Sequence, residues 1–167
     1  MALIVEDGSG LSTAESYISV ADADTYLASM GVTVTDWDAD AEATKELHLR
    51  TATRYLDTRY GVKWIGVRYT SSQALAWPRG RAVDYDGFDI SASVPSKLAN
   101  ATAILGAASA AADIYPDVTA GSGDKTRARV VVGPIEVEDY FAGSSEAQKI
   151  YRLANDMIKE FVGSGSI

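Results

Sequence analysis

With 167 residues, 47% of them hydrophobic, the chain carries enough apolar material for one buried core and too much for a disordered segment. The absence of cysteine excludes disulfides and thiolate-bound metals and suits a reducing cytoplasm. A formal net charge of −8 opposes long-range attraction to a phosphate backbone.

The charge is unevenly spread. Residues 1–46 hold ten acids against Lys45, a net of −9. Residues 47–82 hold seven bases (Arg50, Arg54, Arg59, Lys63, Arg68, Arg79 and Arg81) against Asp57, a net of +6. The remainder carries −5. Such polarity can pair neighbouring copies or be neutralised within one fold. No apolar run nears the roughly 18 residues of a membrane span. Met1–Asp7 lacks the basic flank and cleavage site of a signal peptide.

In chain order, the first predicted helix follows Ser19, which with Asp22 makes a capping box. Val20, Ala23, Leu27 and Met30 share one face, and Gly31 is placed to end it. Residues 32–38 read as a polar connector. A second helix is expected over about 40–60, with acids at its start and arginines toward its end, as the helix dipole favours. Leu49, Ala52, Leu56 and Tyr60 form its ridge, beside Leu47, Thr51 and Tyr55, and Gly61 stops it.

Residues 62–92 read as short strands or an irregular excursion, with Gly66 breaking a β-prone run and Asp84–Gly87 a turn signal. The third helix begins near Pro95 and ends before Pro116. Its run Gly106–Ala112 has almost no side-chain bulk, which predicts a central, tightly packed helix. Residues 119–124 read as a flexible loop. Two short strands are expected around Gly133-Pro134. The last helix, over about 145–161, carries an apolar stripe of Ile150, Leu153, Ala154, Met157, Ile158 and Phe161. The tail from Gly163 reads as mobile. The expected fold is mainly α: one domain over 1–167, a small bundle of about four helices decorated with one or two short β-hairpins.

No catalytic, cofactor or metal site emerges. His48 is the single histidine, so any Ser–His–Asp or histidine–metal site would rest on it alone. Asp36-x-Asp38-x-Asp40 opens like a calcium loop, but Ala41 and Leu47 stand where glycine and a bidentate Glu are needed. Asp84, Asp86 and Asp89 around Gly87 suit a turn, or a weak hard-cation site. Asp7-Gly-Ser-Gly10 lacks the Lys and Ser/Thr of a phosphate loop. The basic block interleaves with Tyr55, Tyr60, Trp64, Tyr69 and Trp77, the combination that holds single strands. Against a stacking role, the two tryptophans lie in apolar surroundings that suit a core or a subunit contact.

Six segments taken together carry a family resemblance: Ser19–Tyr26, Arg50–Asp57, Trp64–Arg68, Gln73–Arg79, Asp86-Gly87 followed by Val94-Pro95, and Val132–Val137. In this order, over about residues 1–140, they resemble a family of tailed-phage and prophage proteins. The Q-x-L-x-W-P-R segment is the most specific. Some members are labelled DnaT-like single-stranded-DNA-binding proteins, and others are regarded as head–tail adaptors.

The adaptor resemblance implies a non-enzymatic structural subunit, assembled in the host cytoplasm into the virion's head–tail joint. There a dodecameric homo-oligomeric ring would meet the portal protein and tail-side proteins. Packaged double-stranded DNA would pass through without specific binding, which an acidic wall favours. The alternative is a single-stranded-DNA-binding replication accessory protein. Trp64, Arg68, Trp77 and Arg79 are the candidate contacts with neighbouring subunits, portal or tail, unless the tryptophans pack beneath their own helices.

Overall fold

The computed structural model describes residues 2–31, 34–114, 128–132, 135–139 and 145–163. Its architecture is mainly α. The helices are α1 (Val20–Ser29), α2 (Thr35–Ala39), α3 (Glu42–Tyr60), α4 (Ser96–Ala111) and α5 (Ser145–Ile158). Two antiparallel hairpins accompany them, β1 (Val67–Arg68) with β2 (Arg79–Gly80), and β3 (Ala128–Val132) with β4 (Ile135–Asp139).

The Ser19 hydroxyl caps α1 by accepting from the Asp22 amide at 3.1 Å. It also donates to the Asp22 carboxylate at 2.6 Å, so the reciprocal contact of the box is made side chain to side chain. Gly31, with φ +65°, turns the chain out of α1 as expected. The polar connector expected over 32–38 is helical from Thr35 onward. A short helix, α2, forms there to bury Trp37, whose indole donates to Asp24 at 2.7 Å beneath the Lys45 ammonium. Five residues are too few to show a helical period, so only the tertiary contact reveals it.

α4 is the central element and packs against α1, α2, α3 and α5. Its small residues permit this. Leu98, Ala101–Ala103 and Ile104–Ala108 are all buried, so the helix is covered on every side. A side chain at Gly106 would press on Leu49 of α3 and Trp37 of α2. The α3 ridge is buried as its spacing predicts at Leu49, Ala52 and Leu56, while Leu47 is exposed. Ala154, Ile158 and Phe161 bury the α5 stripe, but Leu153 stands out from it, half exposed.

β3 and β4 pair in register from Ala128↔Asp139 to Val132↔Ile135, in agreement with the expected hairpin. The expected loop at 119–124 and the tail beyond Gly163 lie outside the described residues. Gly163 itself donates its amide to Lys63 O at 2.7 Å, and Ile65 donates to Phe161 O at 2.9 Å. The end of the α5 segment is thus tied to the start of the excursion.

Candidate nucleic-acid interface

The excursion between α3 and α4 is built around inward-facing groups. Trp64 and Trp77 are buried and meet edge to face at 6.1 Å, with Tyr60 and Phe161 on either side. Neither indole N–H finds a partner among the described residues. The Gln73 amide lies inside the 73–78 turn. It donates to Leu75 O at 2.8 Å and Pro78 O at 2.9 Å, and accepts from the Thr70 amide at 2.8 Å. The Arg79 guanidinium is also buried and donates to the carbonyls of Ile65, Ala76 and Gly66. Burial pulls its pKa below the usual arginine value.

Of the four expected contact residues, then, Trp64, Trp77 and Arg79 are structural in this chain. Their side chains are spent on the core and on backbone carbonyls. Arg68 alone is exposed, with one guanidinium nitrogen donating to Gln73 O. The specificity of Q-x-L-x-W-P-R as a sequence pattern has a physical basis here. Gln73 and Arg79 satisfy carbonyls that a tight, buried turn would otherwise leave unpaired.

Asp57 faces inward as well. Its carboxylate accepts from the Tyr17 hydroxyl at 2.5 Å and from the Ala76 amide at 2.9 Å, and the Trp77 amide donates to the same hydroxyl at 3.2 Å. Burial raises its pKa to about 6, against these hydrogen bonds and the nearby Arg68 and Arg79, which lower it. Burial also pushes the Tyr17 hydroxyl well above its ordinary value, and the Asp57 charge adds to that.

With the one acid of the segment turned inward, its exposed charges are all cationic. Arg54, Arg59, Lys63, Arg68 and Arg81 are all exposed. Arg59 lies over the Tyr55 and Tyr60 rings at 5.7 and 5.8 Å. Exposed Tyr69 shares a face with Val67 on either side of Gly80, and Tyr85 and Phe88 are exposed at the Asp84–Gly87 turn. Among the described residues, neutralisation by the acidic N-terminal block reaches the earlier bases. Lys45 pairs with Asp24 at 2.9 Å, and Arg50 with Glu15 at 3.0 Å and Glu46 at 3.3 Å.

The other motifs resolve into structural roles. His48 Nδ1 lies 3.0 Å from the Ser109 hydroxyl and Nε2 lies 3.2 Å from Asp40, so the residue types of a hydrolytic triad do come together. Ser109, however, sits in the last turn of α4, where helix carbonyls oppose a developing oxyanion. The trio instead pins α3 to α4. Asp84 accepts from the amides of Asp86 and Phe88 and closes its own turn. Among the described residues no cluster of His, Asp or Glu is arranged to hold a metal ion, and no helix is long and apolar enough to cross a membrane.

Sequence reading missed the role of Glu6. This buried carboxylate accepts from the amides of Gly8, Gly10 and Leu11 at 2.8–3.0 Å, and so fills the anion nest of the Asp7–Gly10 loop from within. An acid ahead of a Gly-x-Gly turn was the available signal.

A family model described as "Putative DnaT-like ssDNA binding protein" matches residues 1–167, which takes in the C-terminal helix as well as the segments of the resemblance. It carries the DnaT-like label of that resemblance rather than the adaptor's. No curated protein and no solved structure matches the chain.

Proposed function

The chain belongs to the DnaT-like ssDNA-binding family, and from that premise we propose that it binds single-stranded DNA through the outer face of residues 47–82. One observation carries the reading. Folding turns Asp57 inward and leaves five exposed cations with no acid among them on that segment. Cations that track a backbone, beside rings on which bases stack, are the means by which single strands are held without sequence readout. Tyr69 supplies an exposed ring in place of the buried tryptophans, with the half-buried Tyr55 and Tyr60 beside Arg59. The net charge of −8 makes attraction local to this face, so binding is expected to be salt-sensitive.

The test is fluorescence anisotropy of a labelled single-stranded 20-mer, with the duplex as competitor. Saturable binding that weakens steeply with salt and prefers the single strand supports the reading. Binding that survives glutamate substitution of Arg59, Lys63 and Arg81 together rejects this face.

A second reading is the structural subunit of a phage head–tail connector, in which copies of the chain form a ring between portal and tail. The observation in its favour is apolar. Val62 is fully exposed, and Val67, Val83 and Phe88 are each at least half exposed on the same excursion, a composition suited to a protein partner. Electron microscopy of purified virions tests it. A ring of this protein at the head–tail joint supports the connector, and its absence from virions removes that reading.

A further inference from the structure

A cleft of about 430 Å³ lies between α3 and two loop segments, Ala14–Glu15 and Ala74–Leu75. That volume falls within the range of small-molecule pockets. Its α3 wall is polar and its loop wall is largely apolar, with Leu75 and Ala14 buried behind the surface.

Three groups on the α3 wall suit a ligand. The Thr53 hydroxyl is buried, with 1% of the residue exposed, and has no hydrogen-bond partner among the described residues. A buried hydroxyl left unpaired is destabilising, and a polar ligand atom would relieve that cost. Arg54, next to Thr53 in the chain, lines the cleft, is exposed and makes no ion pair among the described residues. Asp57 offers carboxylate lone pairs beyond those taken by Tyr17 and Ala76. The remaining charges are already engaged, since Arg50 is paired with Glu15 and Glu46. Arg54 is therefore the one cation of the cleft with no ion pair among the described residues, which matches a monoanion.

A monoanionic group joined to a flat body with a polar edge and apolar faces describes a nucleotide unit. We propose that this cleft is a nucleotide subsite, with the phosphate at Arg54, the base against Leu75 and its polar edge toward Thr53 and Asp57. The inference rests on the single-stranded-DNA reading, and Arg54 links the two because it is an exposed cation of the segment and also lines the cleft. One nucleotide of a bound strand would leave the stack and enter, while its neighbours lie along the exposed bases of the segment.

The experiment uses the full chain in two arms. Amide shifts of isotope-labelled protein are followed on addition of dCMP and, separately, inorganic phosphate. In parallel, anisotropy of a labelled 20-mer is measured for wild type, Thr53→Val and Arg54→Gln. The expected result is that dCMP moves the amides around Thr53, Asp57 and Leu75 and that phosphate alone moves fewer of them. Each variant should weaken oligonucleotide binding on the order of tenfold. Thr53→Val keeps the buried shape, and Arg54→Gln changes an exposed side chain, so an unfolded Thr53 variant still leaves the Arg54 result to decide.

If wild type binds the strand while dCMP leaves the cleft amides unmoved and Arg54→Gln binds normally, the subsite is wrong and the binding reading survives. If the strand does not bind but dCMP moves the cleft amides, the binding reading fails and the cleft stands as a mononucleotide site. If neither ligand binds, both fall.

Discussion

Among single residues, Asp57 has the most consequential chemistry. Its carboxyl titrates near 6 in the fold against about 3.8 in an open chain, so the native state holds this proton more tightly than the unfolded state. The corresponding stability is fully present below the unfolded value and is lost as pH rises through about 6. A shift of this size corresponds to roughly 3 kcal/mol. Asp57→Asn removes the titration. The difference in unfolding free energy between wild type and variant, measured in urea at pH 4 and pH 7, is therefore expected to change by that order, with wild type losing ground at the higher pH.

Arg68 and Arg79 separate at the same scale. Arg79→Glu would place a carboxylate against three carbonyls and cost about 3–5 kcal/mol, visible as a lowered melting temperature. Arg68→Glu, at an exposed position with a single hydrogen bond among the described residues, to Gln73 O, should melt closer to wild type than Arg79→Glu and lose affinity for the single strand. Equal behaviour of the two variants would contradict the contrast in burial.

At the scale of elements, two glycines let neighbouring elements approach closely. Gly66 has φ +70°, and a side chain there would stand 2.5 Å from Gly80 O across the β1–β2 hairpin. Gly66→Ala therefore combines backbone strain with a collision that no rotamer relieves. A loss of about 1–3 kcal/mol is expected, with altered amide shifts in the hairpin. Gly106 is different, because the helix around it would tolerate a side chain and only the packing forbids one. Gly106→Val should cost about 1–3 kcal/mol by driving α4 off Leu49 and Trp37, and the damage should appear in the near-ultraviolet signal of the tryptophans. The short helix α2 depends on that same contact. It has no side-chain cap and is held by Trp37 and its bond to Asp24.

For the molecule as a whole, the arrangement of charge matters more than its sum. The acidic N-terminal block engages Lys45, His48 and Arg50, at the beginning of α3, and leaves the later bases outward. A strand neutralising all five exposed bases of the segment would give a log–log salt slope near −3.5. Affinity measured from 50 to 300 mM salt checks this. A slope near zero would mean that the cationic face does not meet phosphates. The acidic surface elsewhere should keep duplex DNA from binding at the same salt.

The sequence by itself determined the helical class, the limits of α1 and α3, the start of α4, the central place of the Ala-rich helix and the β3–β4 hairpin. Each depends on local signals: a period of 3.6 or 2, a cap, a proline or a glycine stop. It also located the basic, aromatic middle segment that carries the functional reading. Only the tertiary structure decided which members of that segment face outward. Trp64, Trp77 and Arg79 turn inward in a non-periodic excursion that has no face to read, and its burial is set by α3, α4, α5 and the Tyr17 loop packing on it, while Asp57, on α3, is held inward by the Tyr17 hydroxyl and the Ala76 amide. The cleft beside Thr53 and Arg54 was hidden for the same reason. Its walls come from α3 and from loops near residues 14 and 74, which are separated in the chain and joined only by folding.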